Sequence, residues 1–237
     1  MLLDIEGTTC PVSFVSETLF PYAAKHLDSF LNEQKKNPQV KSLLSEAERN
    51  WADDPDPEAQ SMHQQIKSEE SDGVLSYLHW LISKDRKLAP LKELQGLIWE
   101  TGYRTGTLKG PLFEDVPVAL RQWHKAGLQL AVYSSGSVTA QQLLYGYSTC
   151  GDLRGLFAHW FDTRVGSKRD QRSYIKIAKT LHVPSHQVLF VSDTLTECEA
   201  AAASGMQVLF SIRPGNSEKA VDRFERISSF QDLELNP

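Results

Sequence analysis

Three things are scarce in this 237-residue chain, and each absence removes a class of protein. No apolar run approaches the roughly 20 residues that cross a bilayer, so no membrane-spanning helix is expected and no membrane partner. Cysteine is confined to Cys10, Cys150 and Cys198, an odd and scattered set without metal-ligand spacing. It reads as reduced thiols rather than a disulfide framework. Positive charge is in deficit: 25 Lys and Arg against 30 Asp and Glu give a net charge of -5 and a pI near 5.8. That balance leaves no electrostatic footprint for nucleic acid, and any anionic substrate must be met by local positive groups. A signal-peptide pattern, internal repeats and low-complexity tracts are missing too, and the expectation is a cytoplasmic protein. What remains is ordinary for a globular chain, with 41% hydrophobic and 23% charged residues. The length suffices for one large domain or for a core carrying an insertion.

The pattern of apolar residues changes twice. After Pro11, strand character gives way to helix for about ninety residues. Ala23, Leu27, Phe30 and Leu31 share one helical face, as do Val40, Leu43, Leu44 and Ala47; Leu75, Leu78 and Ile82 form a third stripe, and Leu91, Leu94 and Ile98 a fourth. Residues 53–57 read as a loop. Trp51, Trp80 and Trp99 read as core of a small bundle, and His63 and His79 as surface or satisfied core residues. Between Gly102 and Pro117, glycines and prolines interrupt regular structure. Strand and helix then alternate: helix 118–126, strand 128–133, helix 138–147, strand 159–161, helix 173–181, strand 188–191, helix 197–204 and strand 208–211. Such alternation implies right-handed crossovers and an α/β fold with a doubly wound parallel sheet. The helical block is then an insertion after the first strand. With no apolar stripe left over after core and insertion are built, the expectation is a monomer.

Ligands of an open parallel sheet bind outside the carboxyl ends of its strands, so the residue after each strand matters most. Met1-Leu2-Leu3 runs into Asp4-Ile5-Glu6-Gly7-Thr8-Thr9. Two carboxylates one residue apart point the same way on an extended backbone, and Gly7 breaks the strand before two turn hydroxyls. The pair suits Mg²⁺, a hard cation that takes oxygen ligands, and an aspartate that attacks phosphorus while its neighbour handles the proton. An ordinary strand-to-turn junction with solvated acids fits these six residues as well. The 128–133 strand ends in Ser134-Ser135-Gly136-Ser137 ahead of a helix, which is either a phosphate cradle or a plain serine cap. Lys168 precedes a helix whose macrodipole opposes a cation, so a phosphate oxygen is one reason for it and simple solvation another. The 188–191 strand runs into Ser192-Asp193, with Glu197 one turn into the next helix.

Together these segments resemble the haloacid dehalogenase-like superfamily of aspartate-nucleophile phosphohydrolases, with the helical block as its cap. Asp-Ile-Glu-Gly-Thr-Thr, Tyr133-Ser134-Ser135-Gly136-Ser137-Val138, Trp160-Phe161-Asp162-Thr163 and Arg213-Pro214-Gly215-Asn216 are similar to the enolase-phosphatase family of methionine salvage, as are Leu94-Gln95-Gly96 and Trp99. The resemblance implies a core of residues 1–13 and 107–237 and a helical cap of residues 14–106 that closes over the site. It implies a phosphorylated small-molecule substrate, 2,3-diketo-5-methylthiopentyl-1-phosphate, which is enolised and then dephosphorylated with Mg²⁺ to 1,2-dihydroxy-3-keto-5-methylthiopentene. Asp4 is then nucleophile and metal ligand. Glu6 joins the metal site through its carbonyl while its carboxyl shuttles protons, and Asp193 completes the metal ligands. Ser134 and Ser135 hold the phosphate, and Lys168 neutralises both it and Asp4. Two departures stand out. Only three residues precede Asp4 where the family has a longer strand, so either the recorded start omits residues or the strand is short. Lys168 is followed by Arg169-Asp170-Gln171-Arg172, more basic than the family's stretch. The rival readings are a phosphatase of the same superfamily acting on a sugar phosphate or phosphoglycolate, a metal-free dehalogenase, and a non-catalytic binding protein.

Overall fold

The structure is a computed structural model that describes residues 1–66, 73–217 and 223–233. Strand β1 (Leu2–Leu3) opens the chain, and five helices follow it: α1 (Phe20–Gln34), α2 (Pro38–Ala52), α3 (Pro57–Ile66), α4 (Gly73–Ser83) and α5 (Ala89–Arg104). The alternating part then runs α6 (Val116–Lys125), β2 (Leu130–Tyr133), α7 (Val138–Gly146), β3 (Phe157–Phe161), α8 (Gln171–Leu181), β4 (Leu189–Ser192), α9 (Leu195–Ala203), β5 (Gln207–Ser211) and β6 (Glu225–Ile227). The chain divides into two compact units, one of Met1–Glu17 with Tyr103–Pro237 and the other of Thr18–Gly102.

The helical unit is held by the stripes that the sequence shows. Ala23, Leu27, Val40, Ala47, Leu78 and Leu94 are each at most 1% exposed in its core. Trp51 stacks on Tyr77 at 5.1 Å, and Tyr77 on Trp80 at 5.8 Å, so two of the three tryptophans are core. Trp99 is part-buried and donates from its indole nitrogen to the Leu19 carbonyl at 2.8 Å. His63 packs at 4.9 Å from the Trp51 ring, and His79 pairs with Asp28 on the surface. Helix α3 carries no broad apolar stripe, which is why periodicity misses it. Among its described side chains Ala59 is fully buried, and the Ala59 carbonyl accepts from the Trp51 indole at 2.8 Å.

The other unit is a parallel sheet in the order β3-β2-β1-β4-β5-β6. The chain builds outward from β1 to one side, then returns to build the other side, so the strand order reverses at β1 and β4. That reversal opens the crevice in which a doubly wound sheet binds its ligands. β1 is only two residues long but pairs on both edges, and Leu2 and Leu3 are completely buried. Burying each such leucine contributes about 1.5–3 kcal/mol, which lets so short a strand stay in place. Strand β6 escapes a reading by hydrophobicity. It is three residues at the sheet edge, and only Ile227 is buried, as edge strands carry charge to discourage further pairing. Pro117 lies inside the first turn of α6 rather than in the interruption before it, a position where the missing N–H costs nothing.

Candidate active site

The site is assembled at the carboxyl ends of β1, β2 and β4. Asp4 follows β1 directly, and its backbone N–H still donates to the Val191 carbonyl at 3.0 Å. The chain then bends at Ile5, whose carbonyl accepts from the backbone N–H groups of Thr8, Thr9 and Cys10 at 2.9–3.1 Å. β1 ends at Leu3 and the chain bends at Ile5, so Asp4 and Glu6 are not held side by side on one strand; Glu6 bridges to Cys10 instead. Glu6 is close enough to Cys10 for its charge, together with burial, to push that thiol upward. Thr9 ties the turn down, since its Oγ1 and the Tyr145 hydroxyl are 2.8 Å apart in a buried contact.

Asp4 is 5% exposed and has a partner on each oxygen. Oδ1 accepts from Lys168 Nζ at 2.6 Å and from the Ile5 N–H at 2.8 Å; Oδ2 accepts from Ser192 Oγ at 3.0 Å. Lys168 arrives from a loop fastened by three hydroxyls. Tyr133 donates to the Gly166 carbonyl, Ser173 to that of Ser167 and Tyr174 to that of Lys168, at 2.7–3.0 Å. Its Nζ also lies 2.6 Å from Glu197 Oε2. Burial opposes the ammonium charge, but Asp4 and Glu197 outweigh it and hold the group above its ordinary value. The cation ahead of α8 is thus paired with two carboxylates, and the helix takes its own cap from Asp170, which accepts from the Arg172 N–H.

Glu197 is the residue that sequence reading notices but leaves outside the site. Burial and the Asp4 charge push its carboxyl up to about 7, against the pull of Lys168. Ser192 Oγ lies 3.0 Å from both Asp4 Oδ2 and Glu197 Oε2. Its single hydroxyl proton is shared between the two carboxyl groups. The signal that would have found Glu197 is its place in the first turn of α9, the helix that begins two residues after Asp193.

Asp193 stands at the end of β4, beside β1 in the sheet. Burial, and then the negative charge of Asp4, raise its carboxyl from 3.8 to about 7. Gly7 makes room for it. At φ +68°, a Cβ on Gly7 would fall 2.0 Å from Asp193 Oδ2 and 2.8 Å from Asn216 Oδ1. Asp193, raised by burial and by the charge of Asp4, stands with it in an oxygen-lined setting that suits a hard cation. Among the described residues no group of three or more His, Cys, Asp or Glu side chains could hold a metal.

Ser134 is 4% exposed and its Oγ accepts from the Gly136 N–H at 3.2 Å. Ser137 caps α7, accepting from the Ala140 N–H, while Asp162 takes the Val138 N–H. The amino end of α7 is therefore capped from within the protein. Ser135 is exposed and lines a cleft of about 400 Å³ with Thr163, Ser167, Lys168, Arg169 and Glu197. Of the six residues singled out from sequence, Asp4 and Lys168 are in direct contact, Asp193 faces their charge, and Ser135 shares the cleft with Lys168.

A buried aspartate–lysine pair and a second aspartate at the switch point of a parallel sheet define an aspartate-centred hydrolase of the haloacid dehalogenase type. The family model for haloacid dehalogenase-like hydrolases matches residues 1–205. Enolase-phosphatase E1 of Parasynechococcus marenigrum (strain WH8102) is 46% identical over 237 residues, covering 99% of this chain and 97% of that protein. The enzyme of the same name from Aquifex aeolicus (strain VF5) is 44% identical, covering 99% and 98%. The crystal structure of the UTR4 protein of Saccharomyces cerevisiae superposes with a TM-score of 0.78 at 32% identity, covering 98% of each chain. The fold is shared more widely, as with CbbY of Rhodobacter sphaeroides at a TM-score of 0.57 and 15% identity. The chain belongs to the haloacid dehalogenase-like hydrolases and, within them, to the enolase-phosphatases.

Proposed function

We propose that the chain converts 2,3-diketo-5-methylthiopentyl-1-phosphate to 1,2-dihydroxy-3-keto-5-methylthiopentene in methionine salvage, through an enol phosphate, as a cytoplasmic monomer that requires Mg²⁺. The observation that carries this reading is the buried contact of 2.6 Å between Lys168 Nζ and Asp4 Oδ1, set beside a second aspartate in a family of enolase-phosphatases. Phosphate monoester hydrolysis needs accelerations of up to ~10²¹, which no single group supplies.

In the phosphatase half, an Asp4 carboxylate oxygen bonds to phosphorus as the ester oxygen leaves, giving a phosphoaspartate that water then cleaves. Lys168 pairs with Asp4 and offsets the charge of the incoming phosphate. Ser134 and Ser135 orient that phosphate at the mouth of the cleft. Asp4, Asp193 and the Glu6 carbonyl would hold Mg²⁺, which when bound spreads the negative charge that develops at phosphorus. In the enolase half, the Glu6 carboxyl moves the proton at the carbon beside the polarised carbonyl. The longer reach of Glu over Asp serves that transfer. Catalysis is assigned to residues 1–13 and 107–237, and substrate selection to the cap of residues 14–106.

The test follows ultraviolet absorbance and phosphate release together on the diketo phosphate, with and without Mg²⁺. Absorbance that rises ahead of phosphate is expected. Phosphate release without an enol intermediate would point to a sugar-phosphate or phosphoglycolate phosphatase. Glu6→Gln is expected to slow enolisation; full enolisation with loss of phosphate release alone would remove Glu6 from that step.

A further inference from the structure

The turn that follows Asp4 is held from a distant part of the chain. Asn216 Nδ2 donates to the Gly7 carbonyl at 2.9 Å and to the Ser211 carbonyl at 3.3 Å. Two carbonyl acceptors on one side fix the amide orientation, because the flipped amide would aim oxygen at oxygen. Asn216 therefore presents Oδ1 on its other side, where the atom is buried and has no hydrogen-bond partner. That side is the Asp193 side. One point above the Gly7 Cα is 2.0 Å from Asp193 Oδ2 and 2.8 Å from Asn216 Oδ1, so the two oxygens lie within about 5 Å of each other. Both are acceptors, and no protein donor among the described residues reaches Oδ1. A water that gives one proton to each of two acceptors spans about 4.5 Å.

We infer that Asn216 is a positioning residue for the cation site: its Oδ1 accepts a hydrogen bond from a water on the divalent ion held at Asp4 and Asp193. This rests on the Mg²⁺-dependent reading above. Partners of this outer kind typically govern metal affinity by 10–100-fold.

The test measures Mg²⁺ binding directly by calorimetry, and Mn²⁺ binding by electron paramagnetic resonance, on the full chain without substrate. Asn216→Leu keeps the volume and removes the acceptor, and is expected to weaken Mg²⁺ binding at least about tenfold. Ser211→Ala removes the other side-chain donor to the Gly7 carbonyl, a bond of 3.0 Å, and leaves Oδ1 in place; binding within about threefold of wild type is expected. Asn216→Ala makes the smaller change and serves if the leucine variant does not fold, with the same loss of Mg²⁺ binding expected. Unchanged Mg²⁺ affinity in Asn216→Leu overturns the inference. So does an equal loss in Ser211→Ala, which would mean that only the Gly7 carbonyl matters. Failure of the wild-type chain to bind either ion overturns the metal reading itself, and this inference with it.

Discussion

Replacing Asp193 with asparagine should make the metal-free protein more stable while ending its catalysis. In the folded chain, burial and the neighbouring Asp4 charge raise the Asp193 carboxyl from 3.8 to about 7. A group that binds its proton more tightly when folded contributes stability below its unfolded value, and that contribution is lost as pH climbs toward the folded value. For Asp193 the decline runs from about pH 4 to about pH 7. Each tenfold change in proton affinity is worth about 1.4 kcal/mol, so roughly three such steps give about 4 kcal/mol. Asp193 keeps some solvent contact, which screens the interaction and cuts this to about 2 kcal/mol at pH 8. Asparagine has the same shape and no charge, so it escapes the decline. At about 2–4 °C per kcal/mol for a chain of this size, the variant should melt about 4–8 °C higher at pH 8 in a chelator. The assay is thermal unfolding with EDTA at pH 5, 6, 7 and 8, beside turnover of an aryl phosphate with Mg²⁺. The stability gap should widen as pH rises, Mg²⁺ should no longer raise the melting temperature, and turnover should vanish. A variant no more stable than wild type at pH 8, or a gap that ignores pH, would show that Asp4 and Asp193 do not repel across one site.

Lys168→Met leaves two buried carboxylates facing each other. It should cost about 3–5 kcal/mol in urea unfolding, more at pH 8 than at pH 6, since Glu197, already held up at about 7, can take a proton at the lower pH; a loss independent of pH would refute this. Arg213 grips Asp115 through two bonds of 3.0 and 2.8 Å while its guanidinium lies between the Phe113 and Phe230 rings. Arg213→Leu should cost a similar 3–5 kcal/mol, and Asp115→Leu in the same chain should recover part of it, as a double-mutant cycle would register. Gly7→Ala puts a methyl 2.0 Å from Asp193 Oδ2 at a backbone angle that alanine resists. It should cost about 1–3 kcal/mol and abolish the rise in melting temperature on adding Mg²⁺; an alanine variant that still responds to Mg²⁺ would show that Asp193 needs no such close approach.

The helices and inner strands were legible because burial leaves a period. Leu130–Tyr133 is fully buried, and the stripes through Leu27, Val40 and Leu78 fill the helical core as spaced. Boundaries were less legible where a side chain serves a distant partner. Asp115 sits at the N-cap position of α6 but makes no cap bond; its carboxylate is committed to Arg213 and to the Phe230 N–H. The helix starts two residues before residue 118, where a periodic reading begins it, and carries Pro117 in its first turn.

The same distinction separates what was and was not legible at the site. Asp4, Lys168 and Asp193 could be found because each follows or precedes an element that the sequence announces, and strand ends converge in any parallel sheet. Ser192, Glu197, Arg213 and Asn216 act by other means. They fasten the turn or share its protons across 188 or more residues of sequence, as Ser192 does to Asp4 and Asn216 to Gly7. No local pattern encodes such a bond, because its acceptor is often a backbone carbonyl that any residue could supply. Arg213 illustrates this: it reaches the Thr8 carbonyl at 3.3 Å and the Ser228 carbonyl at 2.6 Å, and neither partner's identity as threonine or serine matters to the bond. The identity that does matter is Gly7, where both the positive φ and the space for Asp193 demand a missing side chain. A glycine after an acidic turn therefore carries more information about the site than the second carboxylate beside it, since the first fixes where Asp193 can stand and the second depends on a strand that ends too early to aim it.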